Sequence, residues 1–252
     1  MILQMAKREI QARYRGSVLG MVWSFAHPLI MLGVYTFIFS GVFKARWGEA
    51  QSSKMEFAII LFCGLIVYNL FAECTNRSAS LIVGNPIYVK KVVFPLEILP
   101  WVSMASALFH AAISMVALLL FYAALNFYLP WTVVFFPAVL VPLILFTMGI
   151  CWFLSSLGVF IRDVHQIVGI ITTIMLFLCP IFYPLSAVPD EFRVLMRLNP
   201  LSIVVEQARE VVLWGRLPDW TMLTASTAVS IVVAWLGLLW FQKTRKGFAD
   251  VM

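Results

Sequence analysis

The sequence is poor in charge. Asp, Glu, Lys and Arg make up only 12% of its 252 residues. Soluble domains carry about 25% charged and about 45–50% apolar residues, whereas 62% of this chain is hydrophobic and its mean hydropathy is +0.95. A water-soluble fold has too little interior to hide so much apolar surface, so lipid must surround most of the chain. The composition therefore predicts an integral membrane protein.

Motifs of several enzyme and transporter classes are missing. The cysteines are too far apart for a CxxC zinc or redox pair; they are Cys63, Cys74, Cys151 and Cys179. The chain has no GxxxxGK[ST] loop for ATP phosphates and no Ser-His-Asp, HExxH, DxD or HxxxxD pattern. Its apolar runs contain no Asp, Glu or Lys of the kind that relays protons. We expect no catalytic residue, no metal and no cofactor in this chain, and an energy source outside it.

Uncharged runs predict six transmembrane helices, because a charge at mid-bilayer costs about 2.5–3.5 kcal/mol on insertion scales. The runs are 16–43, 57–72, 98–161, 166–189 and 220–242. Run 98–161 is long enough for two helices of about 20 residues, and 126–131 (NFYLPW) suits a turn at the interface. Run 57–72 is short, so it either extends past Glu73 or is re-entrant. The predicted fold is all-α, with one domain over 1–252.

Lys and Arg lie mainly on the side of the two termini. With six spans, eleven of the 18 Lys and Arg residues fall on that side, and seven acidic residues fall on the other. The positive-inside rule then predicts cytoplasmic termini. The net charge of +6 therefore reflects mainly the orientation of the chain in the membrane. The sequence shows no clustered basic face of the kind that binds nucleic acid.

The segment 1–20 predicts an amphipathic helix before the first span. Its polar face carries Gln4, Lys7, Arg8, Gln11 and Arg15, and the opposite face carries Ile2, Met5, Ala6 and Ala12. Such a helix lies in the cytoplasmic interface with its basic side chains toward anionic headgroups. The alternative is an ordinary basic flank of the first span.

Residues 74–97 form the predicted cytoplasmic connection between the second and third spans. Asn85-Pro86 predicts a turn, and a short basic element and the apolar residues 92–95 follow it. A connection that is half apolar needs a surface to pack on, either a partner protein or the membrane. Arg162 and Asp163 mark another cytoplasmic boundary, where Asp163 can cap the next helix or either charge can pair with 74–97 or 1–15.

Residues 184–219 form the largest predicted segment outside the cytoplasm. Asp190 to Leu198 predicts one short helix, and Asn199-Pro200 predicts the cap and first turn of a second that stops at Gly215. Its apolar stripe is Leu201, Val204, Val205, Ala208 and Val212. These helices either lie over the outer mouth of the protein as re-entrant elements or decorate the interface.

Four stretches in this order resemble the ABC-2 transporter family, in particular its permeases for O-antigen, capsule or teichoic acid polymers. They are 13–24 (RYRGSVLGMVWS) followed by Pro28; Asn85-Pro86 with 90–95 (KKVVFP) and Pro100; 160–163 (FIRD); and 180–183 (PIFY) leading to Asn199-Pro200. The first stretch and KKVVFP look most like the branch that exports lipid-linked O-antigen. Capsule and teichoic acid export remain alternatives.

The resemblance implies a homodimeric permease of the bacterial inner membrane, working with two copies of a separate P-loop ATPase that binds ATP and Mg. It implies a coupling helix within about 77–95 that docks into that ATPase, with contact residues Asn85, Pro86, Tyr88, Lys90, Lys91 and Phe94. It implies that the first helix is a gate helix where the lipid-linked polysaccharide enters, with functional residues Lys7, Arg8, Arg13, Tyr14 and Arg15. Arg162 and Asp163 are candidates for a cytoplasmic salt bridge.

The resemblance further implies that the first and fifth spans line a channel at the dimer interface, guarded outside by 184–214. Side chains support this idea: Met31, Tyr35, Phe39 and Phe43 share one helical face, and Met175, Leu178 and Phe182 align beside Tyr183. Aromatic rings offer flat apolar faces to sugars without binding one sugar tightly. The predicted lining is Tyr35, Phe39, Phe43, Phe177, Phe182 and Tyr183, with packing or an interfacial belt as the alternative role.

Other functions stay open at this point. An ABC-2 permease for a drug or a lipid would usually show a large hydrophilic insertion, which this chain lacks. A membrane-embedded transferase would need convergent polar residues within its spans, which the sequence does not offer. A structural subunit of a membrane complex is the third alternative.

Overall fold

A computed structural model describes residues 1–17, 20–38, 54–90 and 94–251. The described residues form eleven α-helices and no strand. The helices are α1 (Ile2–Tyr14), α2 (Trp23–Tyr35), α3 (Lys54–Leu81), α4 (Pro86–Lys90), α5 (Leu99–Asn126), α6 (Phe136–Phe160), α7 (Val164–Leu178), α8 (Asp190–Leu198), α9 (Pro200–Val212), α10 (Trp220–Thr244) and α11 (Phe248–Val251). The predicted all-α class is confirmed.

Within the described residues, four helices are long and apolar enough to cross a membrane. These segments are Met55–Leu81, Leu96–Asn126, Trp131–Phe160 and Trp220–Gly247. The predicted first and fifth spans correspond to shorter apolar helices, Trp23–Ile38 and Val164–Leu178. At 1.5 Å per residue, the 15 residues of α7 cover about 22 Å, less than the roughly 30 Å hydrocarbon core. The six-span count therefore stays a prediction for these two segments.

The second span is a full-length helix, because α3 runs through Glu73 to Leu81. Of the two expectations for run 57–72, extension is the right one. Residues 74–81 consequently belong to α3, and the predicted connection 74–97 begins only at Ile82. Glu73 is accommodated within the helix because Arg13 and His110 lie against it.

The predicted break between the third and fourth spans is confirmed. Helix α5 ends at Asn126, and Phe127 takes a left-handed conformation with φ of 54°. Pro130 then precedes a short 3-10 turn, Trp131–Phe135, which leads into α6. Proline and the left-handed residue both prevent α5 from continuing.

Helix α3 is the centre of the bundle, with α5, α6, α7 and α9 packed around it. Every residue from Phe57 to Tyr68 is buried, and so are Leu70, Phe71 and Cys74. Helix α9 is equally buried, since the whole predicted stripe from Leu201 to Val212 is inside. This helix is therefore part of the core and not a decoration of the interface.

The molecule has two distinct ends. At one end Arg245, after α10, is 2.8 Å from Glu97, before α5, and Phe248 contacts Phe160 at the end of α6. At the other end Tyr122 donates a hydrogen bond to the carbonyl of Leu213. The start of α1 and the end of α10 therefore lie at the same end of the bundle as the loop that contains α4. Residues 127–135 and α9 lie at the opposite end.

Close packing of α6 on α10 depends on two glycines. A Cβ at Gly149 would lie 2.5 Å from the Val233 carbonyl oxygen, and one at Gly237 would overlap the Gly149 carbonyl. Small residues that let backbones approach are a common basis of helix association in membranes.

We expect Gly237→Ala to destabilise the detergent-purified protein by about 1–3 kcal/mol, because α10 must move away from α6. The measurement is the midpoint of thermal or denaturant unfolding. Gly169→Ala is the matched control: that glycine is also helical but has nothing within 4 Å of its added Cβ. Equal losses from both substitutions would contradict the packing explanation.

Candidate functional site

Two reciprocal ion pairs hold α1 against α3. Arg13 lies 2.5 Å from Glu73, and Arg77 lies 2.5 Å from Glu9. Glu9 and Arg13 are one helical turn apart, as are Glu73 and Arg77, so each pair of charges shares a face of its helix. The charges match only when α1 runs antiparallel to the end of α3. We call these four residues the ion-pair ladder.

A histidine from α5 joins the ladder. His110 Nδ1 is 2.8 Å from Arg13 Nη1 and 3.1 Å from Glu73 Oε1, and Tyr14 Oη is 3.2 Å from His110 Nε2. Burial raises the pKa of the Tyr14 phenol above its usual range, with a smaller opposing effect of Arg13. The phenol therefore remains protonated and can donate a hydrogen bond.

A cavity of about 670 Å³ opens beside the ladder, between α1, α2, α3 and α5. Its lining includes the Arg13, Glu73 and His110 cluster together with Trp23, Asn69 and Asn76. This size falls within the range of roughly 300–1,000 Å³ that is usual for ligand sites. Polar groups are expensive at membrane depth and generally mark function there.

The predicted gate helix is present as α1, although its role where a substrate enters stays a prediction. Lys7, Arg8 and Arg15 lie on the exposed face as expected, and Ala6 is buried. Ala12 is exposed, contrary to expectation. The protected side instead includes Glu9 and Tyr14, because α1 packs on α3 and α5 through polar contacts as well as apolar ones.

The predicted coupling segment contains a short helix, α4, directly after Asn85. Asn85 donates a side-chain hydrogen bond to the Leu81 carbonyl, which fixes the turn out of α3. Tyr88 stacks on Phe94 with ring centroids 4.6 Å apart, and Ile87 is 62% exposed. Lys90 is the last residue of α4, while Lys91 lies outside the described residues. Docking to a partner through this segment stays a prediction.

The expected salt bridge at Arg162 and Asp163 is not formed within the described parts of the chain. Both side chains are exposed, and neither takes part in an ion pair there. Asp163 occupies the N-cap position of α7, but its side chain accepts no capping hydrogen bond. Arg77 and Arg245, which have Glu9 and Glu97 as partners, form the pairs at this end instead.

The aromatic residues predicted to line a channel are only partly described. Tyr35 ends α2, whereas Phe39 and Phe43 lie outside the described residues. The predicted alignment of Phe182 on the fifth helix is wrong, because α7 ends at Leu178 and Pro180 prevents its continuation. The chain folds back, so Phe182 stacks on Phe177 at 5.8 Å and Tyr183 donates a hydrogen bond to the Phe177 carbonyl.

A buried arginine fixes this folded-back segment. Arg209 of α9 is 1% exposed and donates hydrogen bonds to the carbonyls of Pro180 at 2.6 Å and Ile181 at 3.0 Å. Its Nε donates to the Ile60 carbonyl of α3 at 3.1 Å. Burial lowers the pKa of the guanidinium to about 10, so it stays a cation at neutral pH. Irregular backbone deep in a membrane protein requires internal partners of this kind.

Sequence reasoning missed Glu73, His110 and Arg209. Arg209 falls in the segment 184–219 that is predicted to lie outside the cytoplasm, yet it follows Val205 by four residues and so continues the buried face of α9. The spacing of four in both Glu9/Arg13 and Glu73/Arg77 was the available sign of the ladder. His110 gave no local signal, since it is an isolated histidine in a long apolar run.

Comparison with known proteins gives consistent matches. The ABC-2 type transporter family matches residues 2–213. The O-antigen export system permease protein RfbA of Myxococcus xanthus is 30% identical over 252 residues, covering 99% of this chain and 94% of that protein. RfbA of Klebsiella pneumoniae is 26% identical over 254 residues, covering 100% and 95%. The polysialic acid transport protein KpsM of Escherichia coli is 24% identical, covering 95% and 91%.

Proposed function

Since the chain belongs to the ABC-2 type transporter family, we propose that it is the membrane permease subunit of an exporter for lipid-linked polysaccharide of the O-antigen type. The similarity to RfbA, at 30% identity over nearly the full length of both chains, is the observation that carries this proposal. The chain itself catalyses no covalent step. It provides the path by which the polymer reaches the outer face of the inner membrane.

The energy comes from a separate P-loop ATPase in this proposal. The sequence has no GxxxxGK[ST] motif that would bind ATP phosphates. The segment around α4 supports a docking role, because Ile87 exposes an apolar side chain beside the stacked pair Tyr88 and Phe94. Two copies of the permease with two copies of the ATPase complete the proposed transporter.

The proposed orientation puts both termini and α4 in the cytoplasm. The distribution of Lys and Arg supports it. Helix α1 would then lie where the lipid-linked polymer enters from the cytoplasmic leaflet, and α8 and α9 would lie at the outer end. The aromatic cluster of Phe177, Phe182 and Tyr183 is a candidate part of the channel wall near that end.

The function is tested by deleting the gene in its native host and by purifying the chain from native membranes. We expect loss of surface polysaccharide with accumulation of the polymer inside, and a P-loop ATPase that co-purifies in equal amount. Normal surface polysaccharide in the deletion strain would refute the proposed export of a lipid-linked surface polysaccharide. Export of a capsule-type polymer is the alternative favoured by the similarity to KpsM, and the chemical identity of the lost polymer decides between them. Teichoic acid, drug or lipid cargo would leave both polymers in place.

The docking segment yields a separate prediction. Reversing Lys90 and Lys91 to Glu is expected to reduce co-purification of the ATPase about tenfold, since two like-charge contacts cost about 1.4 kcal/mol or more. The amount of permease in the membrane should not change. The matched control reverses Lys243 and Lys246, which are exposed at the same end of the molecule. Normal ATPase recovery with the first variant would argue against docking at this segment.

A further inference from the structure

We propose that the cavity between α1, α2, α3 and α5 is a subsite for the sugar units of the exported glycan and that it recognises hydroxyl groups, not charge. The proposal rests on the proposed function, because it names the part of the substrate that this cavity binds. It assigns a role to Asn69, Trp23 and the surrounding polar side chains. These residues lie apart from the aromatic cluster at the outer end of α7.

Asn69 is the first observation. It lies one residue from the midpoint of the candidate span Met55–Leu81, the depth at which a polar side chain is most expensive. It is nevertheless exposed, and its side chain faces the cavity. Within the described residues its amide makes no hydrogen bond to protein. An amide in this position offers two donors and one acceptor to a ligand.

The surrounding polar groups suit a polyol. Asn76 and Ser114 line the same cavity, and Asn76 accepts a hydrogen bond from Thr172, which orients its amide. Trp23 and Tyr14 contribute aromatic rings to the wall. The apolar face of a sugar ring packs on an aromatic ring, while its hydroxyls need neighbouring donors and acceptors. Both kinds of group are present in one cavity.

The charges of the lining are already paired. Arg13 forms an ion pair with Glu73 and Arg77 forms one with Glu9, so each arginine of the lining is paired with a carboxylate. A phosphate or diphosphate that binds either arginine would lie beside its carboxylate partner and be repelled by it. A neutral, hydroxyl-rich ligand binds without that cost. The lining therefore favours the sugar part of the substrate over the phosphate part of its lipid carrier.

The test places the photoreactive residue p-benzoyl-phenylalanine at position 72 of the full-length chain in exporting cells. Ala72 lines the cavity three residues from Asn69, so the probe leaves the Asn69 amide in place. After irradiation, the purified chain is stained for glycan. Position 126 is the control, because Asn126 is also exposed on a long helix but lies at the opposite end of α5 from the loop that contains α4. We expect glycan on the chain labelled at 72 and none on the chain labelled at 126.

Mild acid separates the two possible sources of the signal. It cleaves the phosphate linkage between a lipid carrier and its glycan, so glycan that remains on the chain is attached through a sugar. Glycan that is released was attached through the carrier, which overturns the proposal. A crosslink to phospholipid alone, or no adduct at all during normal export, also overturns it. The exporter function is judged separately, by whether surface polysaccharide depends on the chain.

A substitution gives a second, independent measurement. Asn69→Ala should lower the rate of glycan export about fivefold at an unchanged amount of chain, because one set of amide hydrogen bonds is lost. Asn126→Ala should leave the rate unchanged. Unaltered export by Asn69→Ala would overturn the subsite while leaving the exporter function intact.

Discussion

Replacing Arg209 with Met is expected to lower the free energy of unfolding by about 2–6 kcal/mol, because buried carbonyl groups lose their hydrogen-bond donor. The guanidinium is the hydrogen-bond donor to the carbonyls of Pro180 and Ile181, which lie beyond the end of α7. Met fills a similar volume but has no donor. The two carbonyls would then be desolvated without partners, which costs about 1–3 kcal/mol each.

Arg209→Lys distinguishes loss of charge from loss of geometry. An ammonium retains the charge but cannot reach three carbonyls in the plane of a guanidinium. We expect Lys to recover only part of the stability. Denaturation of the detergent-purified chain measures both variants, with Arg216→Met as the control, since the Arg216 side chain is 72% exposed and should contribute less than about 1 kcal/mol.

Gly64 offers a second approach to the same contact. A Cβ at this position of α3 would lie 2.8 Å from Arg209 Nη2. Gly64→Ala should therefore displace the guanidinium and reproduce part of the Arg209→Met loss. If Arg209→Met were as stable as the wild type, the folded-back segment after α7 would have to be held by its apolar packing alone.

Reversing one charge of the ion-pair ladder is expected to reduce export strongly, and reversing both members of a pair is expected to restore it. In Glu9→Arg or Arg77→Glu, an attraction becomes a repulsion, a difference of about 1.5–2 kcal/mol, or roughly tenfold or more in the docked population of α1. The double variant Glu9→Arg with Arg77→Glu rebuilds the pair with exchanged signs. Its side chains are partly buried, with 21% and 34% exposed, so solvent screens the pair only in part.

Two measurements are made on the charge-reversal variants of the ion-pair ladder. Surface polysaccharide reports on export, and the rate of tryptic cleavage after Lys7 reports on whether α1 is docked. Gln11→Glu is the control, because Gln11 is on the exposed face of the same helix and its substitution keeps that cleavage site. A double variant that stays as defective as the single ones would show that the individual side chains matter for a reason other than their pairing.

Local patterns determined much of the fold. The cap at Asn199 and Pro200 and the buried stripe of α9 are confirmed, whereas α9 ends at Val212, before the predicted stop at Gly215. The break after Asn126 is also confirmed. Each of these features depends on residues within about one or two turns of each other, which a single sequence displays directly.

The end of the fifth span shows where that reasoning fails. Helical spacings of three and four residues align Phe182 with Met175 and Leu178, but the prolines beyond Leu178 end the helix. Where the chain goes after such a break is decided by partners distant in sequence. Arg209 supplies them from 28 and 29 residues away.

By itself, the sequence determined that the chain is a membrane protein, where the break between the third and fourth spans falls, and which family it resembles. Apolar composition, periodicity and capping are properties of contiguous residues, so no tertiary contact is needed to detect them. Only the tertiary structure decided that Glu73 meets Arg13 across 60 positions, that His110 joins them across 97, and that Arg209 reaches Ile60 across 149. The free-energy cost of a polar residue in an apolar run is offset only by a partner that packing brings to it. The same partner decides whether the residue can have a function, and it lies on another helix.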